Sequence, residues 1–304
     1  MKSIALLACF GVAAMSQASF ELILAMDRGT GSNGKVHRYD GDSGTYLGSF
    51  ASGWVGASSV MAVNQSANEL AVGTGGFIRI FNYNTGELKR TLFTGNTLTT
   101  LTYAGGNNFS YTLGTVSGIF TINSIAGGAS TIATGTFGAF VKHLVVNGSD
   151  IRYTDSSTNQ VFRSTNGGTT FTSYGIPAVA LTGGLAQGIA SGNNYNDIYY
   201  TSTSVGGIYY DYGSGAGSLT FAGFSGTTGV GLAHGGSNFI LGTATAGGAR
   251  FIKTDTYLNS GFQFDAPQIT TPGHIAVVVA PEPGSWMALG IGAAALLSRR
   301  RRRS

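Results

Sequence analysis

The sequence predicts an all-β chain that folds as a β-propeller of six four-stranded units. Glycine accounts for 49 of the 304 residues, and only 10% of residues are charged, a composition that favours short strands and tight turns. Strand-like alternation recurs, with a first strand starting near residues 58, 98, 141, 185 and 229. A spacing of about 40–45 residues with four strands per unit is typical of propeller blades. Between the two ends of the chain, no segment shows sustained helical periodicity.

The repeat is clearest between residues 58 and 93. Residues 58–64 and 77–81 read as strands with alternating side chains, and residues 69–72 and 88–93 read as two further strands. Together they predict a meander of four antiparallel strands. The segment 82–86, Asn-Tyr-Asn-Thr-Gly, has the composition of a turn between the third and fourth strands.

The two ends of the body complete the count. Residues 21–26, 35–39 and 45–50 read as three strands without a first partner, and residues 274–279 read as one strand left over. We expect these four to form a composite blade that closes the ring and removes exposed sheet edges. A β-sandwich, a β-solenoid or a seven-bladed ring are the alternatives to this interpretation.

The charge of the chain is concentrated at its termini. The formal net charge is +4, but residues 19–280 contain eleven basic and twelve acidic residues. The body is therefore nearly neutral, and the sequence predicts no nucleic-acid partner.

Residues 1–18 have the pattern of a secretory signal peptide. Lys2 provides a positive start, residues 4–14 are apolar, and Ser16-Gln17-Ala18 is a small-x-small cleavage site that predicts cleavage after Ala18. A retained anchor, a buried first helix or a lipoprotein site at Cys9 are the alternatives. Cys9 is the only cysteine, so the mature protein would have no disulfide and no thiol chemistry.

Two loops resemble known ligand or structural motifs. Asp40-Gly41-Asp42-Ser43-Gly44 has oxygen ligands at calcium-loop spacing, but the next repeat has Asn82 and Asn84 at the same place, which favours a turn. Residues 164–171, Ser-Thr-Asn-Gly-Gly-Thr-Thr-Phe, resemble the Asp-box of sialidase-like propellers, a structural hairpin between the third and fourth strands. The arginine cluster that sialidase chemistry requires is not recognisable in the sequence.

No catalytic or metal-binding set is recognisable in the body. The histidines His37, His143, His234 and His274 lie in different repeats, so we predict no metal site and no cofactor. No nucleophile elbow is present. A tyrosine cluster could stack sugar rings, but ordinary cross-strand pairing and packing between blades is the favoured explanation; its members are Tyr195, Tyr199, Tyr200, Tyr209, Tyr210 and Tyr212.

The tail, residues 281–304, resembles the PEP-CTERM sorting signal of bacterial envelope proteins. It contains Pro281-Glu282-Pro283, a hydrophobic segment from Trp286 to Leu297, and then an arginine cluster. The predicted anchor residues are Trp286, Leu289, Ile291, Leu296 and Leu297, and the basic stop is Arg299, Arg300, Arg301, Arg302 and Arg303. The resemblance implies processing by an exosortase, a membrane-embedded transpeptidase, and export by a bacterium that makes extracellular polysaccharide.

The predicted hydrophobic helix of this tail is short. Twelve residues, 286–297, span about 18 Å as a helix, whereas the hydrocarbon core of a bilayer is about 30 Å thick. The arginines favour a cytoplasmic end, so we expect a transient anchor in the inner membrane. The sequence also places the last strand two residues before Pro281.

The function predicted from these features is that of an exported cell-envelope or extracellular-matrix protein with a non-catalytic propeller. The propeller, residues 19–280, would act as a binding or structural module, and extracellular polysaccharide is a candidate partner. The alternative is a secreted propeller enzyme, such as a glycan lyase or hydrolase. Carboxylates, His and Arg gathered at one mouth of the ring would favour the enzyme, and Ser, Thr and Gly there would favour binding.

Overall fold

The structure is a computed structural model of the 304-residue chain. It describes residues 19–30, 33–135, 141–158, 160–174, 185–187, 198–201, 208–211, 218–221, 228–235, 238–245, 247–255 and 260–281. The predicted signal peptide, the tail after Pro281, and Tyr195 and Tyr212 lie outside these residues. Within them, no helix is long and apolar enough to cross a membrane.

The described part of the chain consists of strands with one short 3₁₀ turn, Gln65–Ala67. The first twelve strands are β1 (Ser19–Asp27), β2 (Gly34–Asp40), β3 (Tyr46–Val55), β4 (Val60–Asn64), β5 (Glu69–Thr74), β6 (Phe77–Asn82), β7 (Leu88–Phe93), β8 (Leu98–Tyr103), β9 (Asn108–Leu113), β10 (Ile119–Asn123), β11 (Gly127–Ala133) and β12 (Val141–Asn147). The others are β13 (Asp150–Asp155), β14 (Gln160–Ser164), β15 (Thr172–Tyr174), β16 (Leu185–Gln187), β17 (Ile198–Thr201), β18 (Ile208–Asp211), β19 (Ser218–Phe221), β20 (Thr228–Gly235), β21 (Asn238–Thr245), β22 (Gly248–Asp255), β23 (Ser260–Ala266) and β24 (Pro272–Pro281).

These strands form six antiparallel four-stranded sheets in a propeller-like arrangement. Five sheets take consecutive strands, β4–β7, β8–β11, β12–β15, β16–β19 and β20–β23, and the sixth has the order β24-β1-β2-β3. The innermost strands contact one another around a circle, in the order β24, β4, β8, β12, β16, β20 and back to β24. The predicted all-β propeller class is therefore confirmed.

The sheet β24-β1-β2-β3, called here the closing sheet, joins the two ends of the body. Leu24 of β1 lies opposite Ala276 of β24, and Ser19 lies opposite Pro281. The prediction that the last strand ends two residues before Pro281 was wrong, because Pro281 is the last residue of β24. Proline is tolerated there since the end of a strand can do without a donor N–H.

The core lies between neighbouring sheets, and β1 shows how the sequence specifies it. Leu24 is fully buried in a cluster that includes Leu70 of the next sheet. Ile23, also fully buried, belongs to a second cluster with Phe251 of β22. Because successive side chains of a strand point to opposite faces, a run of apolar residues buries both faces of the closing sheet.

The candidate calcium loop is a turn. Oδ1 of Asp40 accepts hydrogen bonds from the backbone N–H groups of Asp42 (2.9 Å) and Ser43 (2.8 Å). Asn82 makes the equivalent bonds, with Oδ1 2.9 Å from the N–H of Asn84 and 3.3 Å from that of Thr85. These carboxylate and amide oxygens cap the chain reversal, as Asp and Asn commonly do in turns.

The segment resembling an Asp-box is also a hairpin, between β14 and β15. Oγ of Ser164 accepts from the N–H of Gly168 at 2.9 Å, and Oδ1 of Asn166 accepts from the N–H of Thr170 at 3.0 Å. The asparagine therefore holds the loop through the backbone bond expected of an Asp at this position, which is a structural role.

Candidate functional site

A polar cavity among the described residues lies at one end of the ring, where the innermost strands begin. It has a volume of about 520 Å³ and lies among the starts of β4, β8, β12 and β24 and the residue that follows β1. We call it the strand-start mouth. Its charged and imidazole side chains are Arg28, Lys142, His143 and His274.

Irregularities in strand pairing place three residues in this mouth. Pairing of β8 with β9 skips Thr99, and pairing of β12 with β13 skips Lys142. On β24, Gly273 and His274 together lie opposite the single residue Met26 of β1. An extra residue of this kind bends a strand and re-aims a side chain, and Thr99, Lys142 and His274 all line the cavity.

Arg28 is held beside the start of β24. Its backbone N–H donates to the carbonyl of Thr271 at 2.8 Å, which fixes the chain next to that strand. A Cβ at residue 273 would lie 2.9 Å from Arg28 Nε, so Gly273 allows the guanidinium group to approach. Nε is buried and has no hydrogen-bond partner in the described part of the chain. Burial lowers the pKa of Arg28 below its usual value, although a guanidinium group remains charged at neutral pH.

Asp27 is the carboxylate nearest to Arg28 in sequence, and backbone N–H groups beside the mouth already donate hydrogen bonds to it. Its carboxylate oxygens accept hydrogen bonds from the N–H groups of Thr271 (2.8 Å), Gly29 (3.1 Å) and Thr270 (3.2 Å). It is buried and does not line the cavity. The described lining therefore contains cations and imidazoles and no carboxylate.

The structure brings two histidines together that the sequence analysis placed in separate repeats. The ring centroids of His143 and His274 are 5.6 Å apart, although the two residues lie far apart in the sequence. Burial, with added repulsion from His143 and Arg28, lowers the pKa of His274 well below its usual value. His274 is therefore neutral at neutral pH and can donate or accept a hydrogen bond.

Hydroxyl groups complete the lining of the mouth. Ser58 and Thr97 are exposed there. Thr99 is half-buried, and its Oγ1 lies 2.7 Å from Oγ1 of Thr112. Ser59 is buried and accepts the N–H of Gly56 at 2.8 Å, so it supports the loop before β4. Ser58, Thr97 and Thr99 are the hydroxyls placed to meet a ligand.

A second cavity, of about 560 Å³, lies where the innermost strands end. We call it the strand-end mouth; Val63, Gln65, Ser66, Tyr103 and Val277 line it. Gln65 donates to the carbonyl of Val279 beside it. Between His274 and Pro281, β24 advances about 23 Å at 3.3 Å per residue, so the sorting tail leaves the body near this second mouth.

The strand-start mouth presents hydrogen-bond donors and positive charge. No group of three or more His, Cys, Asp or Glu side chains is gathered among the described residues. The cations and hydroxyls are donors for an oxyanion and for hydroxyl groups of a ligand.

The other predicted site residues are distributed as follows. Pro281 ends β24. Ala18, Glu282, Pro283, the anchor residues and Arg299–Arg303 lie outside the described residues. Tyr199 and Tyr200 lie directly opposite Tyr210 and Tyr209 in β17 and β18, a register that fits cross-strand pairing.

The sequence analysis missed the strand-start mouth as a site, although a signal for it was present. Lys142 and His143 begin the first strand of one repeat, Ser58 and Thr97 precede or begin those of two others, and His274 begins the leftover strand. Aligning the repeats by their first strands would have placed all of these residues at one end of the ring.

Comparison with known protein families identifies the tail. Residues 279–303 match the PEP-CTERM protein-sorting motif. The chain therefore carries this motif, as the resemblance implied, and the motif implies processing by an exosortase-type enzyme. The match overlaps the last residues of β24, which ends at Pro281. A search of curated protein sequences returns no match for the chain.

Comparison with solved structures supports the propeller. A chain in the crystal structure of a nidogen/laminin complex superimposes with a TM-score of 0.67 at 12% identity, covering 85% of this chain and 98% of that one. The WD40 repeats of RRP9 give 0.52 at 11% identity, covering 77% and 74%. U3-55K gives 0.52 at 11% identity, covering 76% of each chain. At such identities the likeness concerns the fold alone.

Proposed function

We propose that this chain is an exported bacterial envelope or matrix protein, sorted through its tail, whose six sheets act as the blades of a non-catalytic binding propeller. The sorting motif at residues 279–303 carries the first part of the proposal. The strand-start mouth, lined by cations and hydroxyls, supports the second part. Extracellular polysaccharide is a candidate partner for an exported binding module.

The position of the motif supports an orientation for the sorted protein. The motif begins at the end of β24 near the strand-end mouth, and β24 begins at the strand-start mouth. A chain held in the inner membrane by its tail would therefore direct the strand-start mouth away from that membrane. Cleavage after Pro281 would leave β24 paired with β1 and the ring closed.

The sorting half is tested by replacing Pro281, Glu282 and Pro283 with alanine and measuring the mass of the mature protein in its natural host. We expect the variant to retain its tail, whereas the unaltered protein is shortened. An identical mature mass for both proteins would contradict the sorting proposal.

A second candidate function, a glycan lyase or hydrolase, is favoured by one observation. His143 and His274 lie close together in a mouth that also contains Arg28. Histidine is the side chain that most often transfers protons in catalysis, and an arginine can bind a substrate carboxylate. A general acid–base pair of carboxylates, which glycoside hydrolysis usually requires, is missing from the described lining. Turnover of a polysaccharide by the purified chain, lost in His143→Gln, would favour this enzyme over the binding module.

A further inference from the structure

The described lining of the strand-start mouth carries positive charge and no negative charge, which favours an anionic ligand. Arg28 and Lys142 line it from two different sheets, and no carboxylate lies in its described lining. The body as a whole is nearly neutral, so this concentration of positive charge is local. Fixed cations in a cleft raise the local concentration of anions.

Arg28 lines the mouth, and the structure places no carboxylate of the described lining beside it. Its Nε is buried without a hydrogen-bond partner in the described residues, and a buried donor left unpaired is costly. Asp27, the adjacent carboxylate, is already occupied by three backbone N–H groups. A guanidinium group binds planar or tetrahedral oxyanions through two parallel hydrogen bonds.

The rest of the mouth suits a ligand with hydroxyl groups. Ser58, Thr97 and Thr99 offer hydroxyls, and the neutral ring of His274 adds a further donor or acceptor. The volume, about 520 Å³, is within the usual range for small-ligand sites.

We propose that the strand-start mouth binds a polyhydroxylated anion, with its carboxylate, sulfate or phosphate group on Arg28 and Lys142 and its hydroxyls on Ser58, Thr97 and Thr99. This inference rests on the proposed binding function of the propeller and names the ligand class of that same site.

Calorimetric titration of the purified full chain tests the inference with four probes that share one sugar ring. They are galactose, galacturonate, galactose 6-sulfate and galactose 6-phosphate. We expect at least one anion to bind about tenfold or more tightly than galactose, because a hydrogen bond to a charged group contributes more than a neutral one. The order among the three anions identifies the charged group that the site prefers, and added sodium chloride should weaken the binding.

Variants locate the site. Arg28→Gln and Lys142→Gln should each weaken binding of the preferred anion about tenfold and leave the affinity for galactose unchanged. The matched control is Arg250→Gln, which removes the same charge from an exposed pair with Asp265 on the outer part of another sheet. A thermal melt of each variant establishes that it folds, and the comparison of charged and neutral probes needs no variant.

Four outcomes would overturn the inference. They are equal affinity for galactose and for every anion, binding of galactose alone, binding of none of the probes, or equal weakening by Arg250→Gln and Arg28→Gln. Tight binding of galactose alone would leave the binding module in place and remove only its anionic ligand. Retention of the tail is measured separately, so failure of the sorting proposal is distinguishable from failure of this inference.

Discussion

The two mouths of the ring are built from the same innermost strands and differ in chemistry. The strand-start mouth contains Arg28, Lys142 and two histidines, whereas the strand-end mouth is lined by Val63, Gln65, Ser66, Tyr103 and Val277 and carries no charge in its described lining. Pairing irregularities occur where β8, β12 and β24 begin. The difference is that one end of this scaffold concentrates positive charge, whereas the other lies beside the end of β24, from which the tail continues.

The strand β24 runs from one mouth to the other, so a substitution that weakens the packing of the closing sheet should lower the stability of the whole chain. Leu24 of β1 is fully buried and lies opposite Ala276 of β24. We expect Leu24→Ala to lower the free energy of unfolding by about 2–5 kcal/mol, because it removes buried methyl groups and leaves a cavity. Urea denaturation checks this. The control is Leu47→Ala on β3 of the same sheet, where Leu47 is 41% exposed; an equal loss in both variants would contradict the stabilising role of the buried Leu24 side chain.

A negative charge introduced into each mouth should change the affinity for the anionic probe very differently. We expect Lys142→Glu to weaken binding of the preferred anionic probe about 100-fold, because a like charge placed beside the ligand is strongly unfavourable. Ser66→Glu places the same charge at the exposed rim of the strand-end mouth and should change the affinity by less than about twofold. Calorimetric titration measures both, and equal weakening would show that the anion does not distinguish the mouths.

Acid should destabilise the sheet that supports the strand-start mouth. His37 is fully buried, 3.9 Å from Asp27, and burial lowers its pKa to about 4 despite the attraction of that carboxylate. An unfolded histidine has a pKa of about 6.5. The unfolded state therefore binds the proton first, and stability falls as the pH decreases from about 6.5 to 4, by about 2 kcal/mol at pH 5.

Urea denaturation of the unaltered chain and of His37→Gln at pH 7 and pH 5 measures this contribution. The difference in stability between the two pH values should shrink in the variant. The lowered pKa of His274 acts in the same direction and remains in both proteins, so the variant should keep part of the acid sensitivity. An unchanged pH dependence would contradict the assignment to His37.

The smallest effect should come from Pro281, at the strand-end side. It ends β24 opposite Ser19, and substitutions at the end of an element usually change stability by about 0.5 kcal/mol or less. We therefore expect Pro281→Ala to leave the thermal melting temperature nearly unchanged. A clear loss of stability would mean that a change in tail processing reflects misfolding of the body.

Much of the fold could be predicted from the sequence because the signals are local. The alternation in residues 58–93 anticipates β4–β7, and the Asp40 and Asn82 turns follow from side chains that cap their own backbone. The leftover strand near residue 274 anticipates the closing sheet, since a strand without a partner must find one elsewhere in the chain.

The candidate site is harder to predict than the fold because its parts come from distant repeats, which must first be aligned by their first strands. Arg28, His143 and His274 are far apart in sequence, and only the ring brings them together. Their positions also depend on pairing irregularities, such as the one at Lys142, which no composition or period reveals. The predicted end of β24 was also too early. The strand continues to Pro281, because proline is acceptable at the last position of a strand, where no further N–H donor is needed.

A crystal structure of the full chain grown with galacturonate tests the central claim most directly. We expect the sugar in the strand-start mouth, with its carboxylate on Arg28 and Lys142 and its hydroxyls near Thr97 and Thr99. A sugar bound instead beside Gln65 and Tyr103 in the strand-end mouth, with the strand-start mouth empty, would contradict it.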